Sequence, residues 1–201
     1  MISAALLKRD NDRSKLFELL SNHDEKNFAI EFDKLSVEDV SALRDNRSGS
    51  ECKTLLHHAC KLGNLKVVRY LVRKGHKVDV FDTSGRLKTP LMQAIESNHI
   101  DVAAFLVEAS ASLAIQDIRL ENALHWAARS SGRMVKAVVK ASTLSPAELQ
   151  SLASTTNIKL LFPEDVATFA LTQENLCCLR EKGHFLMKKR RPATQQIVSV
   201  N

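Results

Sequence analysis

Three segments of this 201-residue chain can be laid on one another, and no other feature restricts its fold as tightly. They cover residues 53–82, 88–117 and 121–142. Thr54, Thr89 and Asn122 stand at equivalent places in the three, as do Leu56, Leu91 and Leu124, Ala59, Ala94 and Ala127, and Val67, Val102 and Val135. Leu71, Leu106 and Val139 keep the same intervals. The first interval is the longer by two positions, and these fall in a turn near Gly85–Lys88. Each unit opens on Thr or Asn, whose side-chain oxygen can accept an orphan N–H at a helix start. Pro90 suits a first helical turn. The recurring alanines let paired helices approach closely. Val67, Val68 and Leu71 share one helical face, as do Val102, Ala103 and Leu106, while Lys66, Arg69 and Arg73 fall on the wet side. Gly75 stands where a helix should stop, and Asp82-Thr83-Ser84-Gly85 is turn chemistry before the next unit.

These residues resemble the ankyrin-repeat family, whose unit of about 33 residues carries a T-P-L-H-x-A signature. Thr54-Leu55-Leu56-His57-His58-Ala59 lacks only the Pro. Thr89-Pro90-Leu91-Met92-Gln93-Ala94 lacks only the His, and Asn122-Ala123-Leu124-His125-Trp126-Ala127 keeps Leu, His and Ala. The resemblance implies an all-α ankyrin-repeat solenoid of helix-turn-helix units with short hairpin tips and helical caps. It also places His57 and His125 at a structural position that braces the loop, so neither is read as catalytic.

Outside the three units the pattern loosens. Residues 14–44 read as helical from Leu16, Leu19 and Leu20 and from Phe28, Phe32 and Leu35, with a helix start at Ser36–Asp39. Ser145 and Pro146 read as N-cap and first residue of another helix. Pro163 and Ala167 repeat the spacing of Pro90 and Ala94, which suggests a divergent unit after a short insertion. The expected organisation is an N-terminal helical cap or divergent first repeat over residues 1–47, three repeats over 48–142, a divergent C-terminal repeat or cap over 143–187, and a basic disordered tail over 188–201. A solenoid needs such terminal units, because they cover apolar surface on one side and meet water on the other. In the tail, Lys188, Lys189, Arg190 and Arg191 beside Pro192 read either as a nuclear import signal or as a solubilising cluster.

Composition narrows the function. Hydrophobic residues at 44% and charged residues at 26% are those of a foldable chain. No apolar run approaches the roughly 20 residues needed to cross a bilayer. The apolar stretch before Lys8 is too short for a secretory signal, so the cytoplasm or nucleus is expected. Cys52, Cys60, Cys177 and Cys178 form no C-x-x-C pair, which favours reduced thiols over a zinc site or disulfide framework. No phosphate-binding loop, dinucleotide fingerprint, nucleophile elbow or H-E-x-x-H motif is present, so neither an enzyme nor a cofactor or metal is expected. The net charge is +6, and residues 51–141 carry 14 basic and 8 acidic side chains, which favours an acidic partner. No RNA-binding motif, zinc finger or aromatic-interleaved basic stripe points to nucleic acid.

The expected function is a non-catalytic protein–protein interaction module, an adaptor, scaffold or regulatory subunit, monomeric apart from its partner. The family resemblance puts the partner, a peptide or domain, on the concave face and hairpin tips. By position this face takes His58, Lys61 and Leu62 from the first unit, Gln93, Glu96 and Ser97 from the second, and Trp126, Arg129 and Ser130 from the third. The tips add Arg86, Lys88, Arg119 and Glu121, with Thr83, Ser84 and Ile118 around them. Trp126 is expected to point into the groove with Arg129 framing it, as Trp is frequent among interface hot spots. The Leu124-His125-Trp126-Ala127 segment also resembles the ankyrin repeats of euchromatic histone lysine methyltransferases. That resemblance implies an alternative, a chromatin-associated reader of histone tails or methyl-lysine, although His58 and Gln93 leave the aromatic cage incomplete.

Overall fold

The computed structural model describes residues 14–34, 44–45, 53–83 and 85–155. Within them the chain forms helix pairs: α1 (residues 14–21) with α2 (Glu25–Asp33), α3 (Leu55–Leu62) with α4 (Leu65–Arg73), α5 (Pro90–Glu96) with α6 (Ile100–Glu108), and α7 (Ala123–Ser130) with α8 (Gly132–Ala141). A further helix, α9 (Pro146–Ala153), follows. Two-residue strands β1 (Arg44–Asp45) and β2 (Lys53–Thr54) pair antiparallel, with Arg44 opposite Thr54. The all-α ankyrin solenoid read from the sequence is the fold observed, with this short ladder at one hairpin. Among the described residues no helix is long and apolar enough to cross a membrane.

The caps explain where the helices begin. Thr54, Asn64, Thr89, Asn122, Ser131 and Ser145 each accept a backbone N–H with the side chain, and Ser145 forms a reciprocal capping box with Glu148. The region read as helical from residue 14 forms two helices, divided before α2, where His23 takes a left-handed φ of 56° and Asp24 caps the new helix. A polar Asn-His-Asp run lets the chain reverse there, which makes α1 and α2 a hairpin. The expected helix start at Ser36–Asp39, the divergent C-terminal unit and the Lys188–Arg191 cluster lie outside the described residues.

Packing makes two layers. Helices α3, α5 and α7 stack side by side as the inner row, and α4, α6 and α8 as the outer row. Ala59, Ala94 and Ala127 are fully buried between inner helices, where any larger side chain would force them apart. The first pair joins the same stack. The Phe17 ring meets His58 of α3 edge-on at 4.9 Å between centroids, while Phe28 and Phe32 pack on Tyr70 of α4. Tyr70 and Lys74 both reach Asp33, and Lys66 pairs with Glu25 at 2.9 Å, fastening α2 to α4.

His57 braces the array as expected. It is fully buried, and its Nε2 lies 3.0 Å from the Lys88 carbonyl of the next hairpin. A carbonyl only accepts, so Nε2 carries the proton and Nδ1 takes the Thr54 hydroxyl at 2.8 Å. Burial pushes the ring's pKa down to about 4, against weaker opposition from the Lys88 carbonyl and Asp82, which keeps it neutral in this role. His125 completes a capping box with Asn122, whose Nδ2 donates to the Leu152 carbonyl at 3.1 Å and to Thr155 Oγ1 at 2.9 Å, tying α9 to the start of α7.

Candidate functional site

The hairpin tips are built on buried aspartates. Asp82 donates its N–H to the Lys88 carbonyl and accepts the Lys88 N–H on Oδ1 at 2.7 Å. Asp117 closes the following tip, accepting the N–H groups of Arg119 at 2.8 Å and Glu121 at 2.9 Å. The first loop therefore spans 82–88 and the second 117–121, which accounts for the longer first repeat interval. The tips touch through the Ile118 N–H, which donates to the Arg86 carbonyl at 3.1 Å.

Between tips and inner helices lies a basic basket with an indole floor. Arg129 stands over the Trp126 ring at 4.4 Å from guanidinium carbon to centroid, Arg86 at 5.4 Å, and the Lys88 ammonium at 5.5 Å. Each is within cation–π range. Two carboxylates balance the group. Glu121 accepts from Arg129 at 3.0 Å, and Glu96 accepts from Lys88 at 2.8 Å and from the Gln93 amide at 3.1 Å. Trp126 Nε1 and Gln93 Oε1 are buried with no hydrogen-bond partner among the described residues.

This geometry changes several expectations. Trp126, expected to point into the groove, is only 3% exposed and belongs to the core, because Arg86 and Lys88 of the preceding tip fold over its ring. The ring faces that a methylated lysine would need are taken by the chain's own cations. Arg129 lies on the ring itself, beyond framing it. Gln93 and Glu121 are also buried; Glu121 turns inward because the tight 117–121 turn points its carboxylate under Arg129. His58 and Leu62 are half-buried against the core.

The remaining residues do lie at the surface. Lys61, Glu96 and Arg119 are exposed, and Ser97 and Ser130 are half-exposed, with the Ser130 hydroxyl donating to Asn98 at 3.3 Å. Lys61, Glu96 and Arg129 occupy equivalent positions on successive inner helices, and so form one row of alternating charge. Ser84 lies outside the described residues. Two tip residues were missed from the sequence, Leu87 and Leu120, both exposed. Their signal was present: an apolar residue at the same register of two successive turns, one repeat apart. Among the described residues no group of three His, Cys, Asp or Glu side chains is placed to hold a metal ion.

A family profile described as ankyrin repeats in three copies matches residues 3–117. That range contains the α1/α2, α3/α4 and α5/α6 pairs, and the α7/α8 pair beyond it stacks in the same way. The Tonsoku-like protein of Danio rerio is similar over a shorter stretch, 43% identical over 51 residues, which covers 25% of this chain. The same stretch is 4% of that relative, so this chain spans only a small part of its length.

Proposed function

The chain belongs to the ankyrin-repeat family, and from that premise we propose that it is a non-catalytic adaptor, scaffold or regulatory subunit that holds a partner protein on its inner face. Ankyrin repeats generally mediate protein–protein interaction. The row Lys61–Glu96–Arg129 carries this reading: three successive repeats place basic, acidic and basic side chains side by side, with Ser97 and Ser130 next to them. A mixed polar row beside a basic basket suits a peptide or domain better than a small apolar ligand. In this reading the repeat array is residues 48–142, residues 1–47 are an N-terminal helical cap or divergent first repeat, and residues 143–187 are a divergent C-terminal repeat or cap. The compartment that goes with it is the cytoplasm or nucleus, supported by the buried, free thiol of Cys60. The partner acts as ligand to one chain, without a second copy.

The test is site-specific photocrosslinking in cells. A photoreactive residue at Lys61 or Ser97 is expected to capture a defined partner. The same residue at Arg73 or Arg133, exposed on the outer helices, is expected not to. Identical adducts from both faces, or adducts from the outer face alone, would sink the inner-face reading.

A further inference from the structure

Leu87 and Leu120 are placed against their own interests. Their φ angles are 53° and 58°, in the left-handed region where a Cβ crowds the following carbonyl and glycine is the ordinary solution. Burial does not offset the strain, since the two side chains are 42% and 47% exposed, and Ile118 beside Leu120 is 58% exposed. A side chain that strains its backbone and meets water does little for the fold. Its use lies in whatever covers it.

The residue before each leucine is an arginine, so Arg86-Leu87 and Arg119-Leu120 recur at the same register of neighbouring tips. No carboxylate partners either guanidinium among the described residues, whereas Lys88 and Arg129 are each paired. The nearby acids are engaged inward: Asp82 and Asp117 close their turns, Glu121 lies under Arg129, and Glu96 holds Lys88. What the tips show to solvent is therefore basic and apolar. Arg86 is also held over the Trp126 ring, which positions its head group before anything binds.

We propose that the two Arg-Leu tips are a docking site for a linear segment of a partner protein in which aspartate or glutamate residues stand among apolar side chains. This rests on the reading of the chain as a protein-binding module and names the chemistry of what it binds. Packed helices repeat every 8–10 Å or so, and an extended chain advances about 3.3 Å per residue. Carboxylates separated by about that repeat distance on one side of the segment would then meet Arg86 and Arg119 in turn, with apolar side chains near them on Leu87, Ile118 and Leu120.

The experiment is a selection of random linear peptides displayed on phage against the full chain, followed by affinity measurements on fluorescein-labelled synthetic copies. Enriched peptides are expected to carry paired acids flanked by Leu, Ile, Phe or Met, and to weaken as salt rises. They are expected to lose about tenfold in affinity to the R86Q/R119Q variant and to the L87G/L120G variant. The glycine variant should keep or raise the melting midpoint, since it removes the strain at two left-handed positions whose side chains are largely exposed. Peptides without carboxylates, affinity indifferent to both variants, or a lowered midpoint in L87G/L120G would each overturn the proposal. If such indifferent peptides are lost with K61E/S97E, the inner-face reading stands and the tip site falls. If no peptide is enriched, the tip proposal falls, and the crosslinking at Lys61 and Ser97 decides the broader reading alone.

Discussion

Acidification should loosen this array through the His57 imidazole. The His57 ring has its pKa pushed down from 6.5 to about 4 by burial, so the folded chain binds fewer protons there than the unfolded chain. A depressed histidine contributes stability that is complete above the unfolded pKa and is lost as pH falls from 6.5 towards 4. One pKa unit corresponds to about 1.4 kcal/mol, so the full effect is about 3 kcal/mol, and the part lost between about pH 7.5 and about pH 5 is about 2 kcal/mol. His76 is lowered by burial too and adds to the slope with the same sign. Glu31 and Asp33, lowered by hydrogen bonds to Lys15 and Lys74 respectively, lose their contributions only at more acid pH, through carboxylate titration. Urea unfolding of wild type and His57→Gln across this range separates the terms. Glutamine can still donate to the Lys88 carbonyl but cannot titrate, so the variant should lose about 2 kcal/mol less than wild type on acidification. Equal pH slopes in the two proteins would refute the reasoning, because the ring would then titrate alike in the folded and unfolded chain.

Other outcomes follow from the same contacts. Gly63→Ala should cost about 1–3 kcal/mol by thermal melting, because Gly63 has φ 71° and a Cβ there would come within 2.4 Å of the His99 ring. Adding His99→Ala should recover only the steric part. Trp126 is the single tryptophan, so fluorescence of the native chain should be blue-shifted and resist acrylamide quenching; emission typical of an open indole would contradict the basket. Asn122→Ala removes both the α7 cap and the ties to Leu152 and Thr155, at about 1–3 kcal/mol, and hydrogen exchange should then show α9 opening before the inner row.

How much was legible depended on distance along the chain. Thr54, Thr89, Asn122 and Ser145 declare helix starts because a cap acts on N–H groups two or three residues away. Val67, Val68 and Leu71 declare a buried face because helical spacing is local. The role of His57 was legible through its place in the repeat, and the longer first loop through the repeat interval. Trp126 was not legible in the same way. Its neighbours Arg86 and Lys88 come from the preceding tip, a whole repeat earlier in the chain, and no pattern within a repeat says that their heads will fold over its ring. Glu121 looked like a tip residue and is one, yet its carboxylate turns inward to Arg129.

The sequence by itself determined the helix-pair unit, its period, its caps and the alanine seams, since these follow from interactions inside one unit and from its repetition. Only the tertiary structure decided which groove residues reach solvent. It buried Trp126, Gln93 and Glu121, and it left Leu87 and Leu120 strained and exposed at the tips. The reason is that exposure on a solenoid is settled by the neighbouring repeat, whose side chains lie far off in sequence and next door in space.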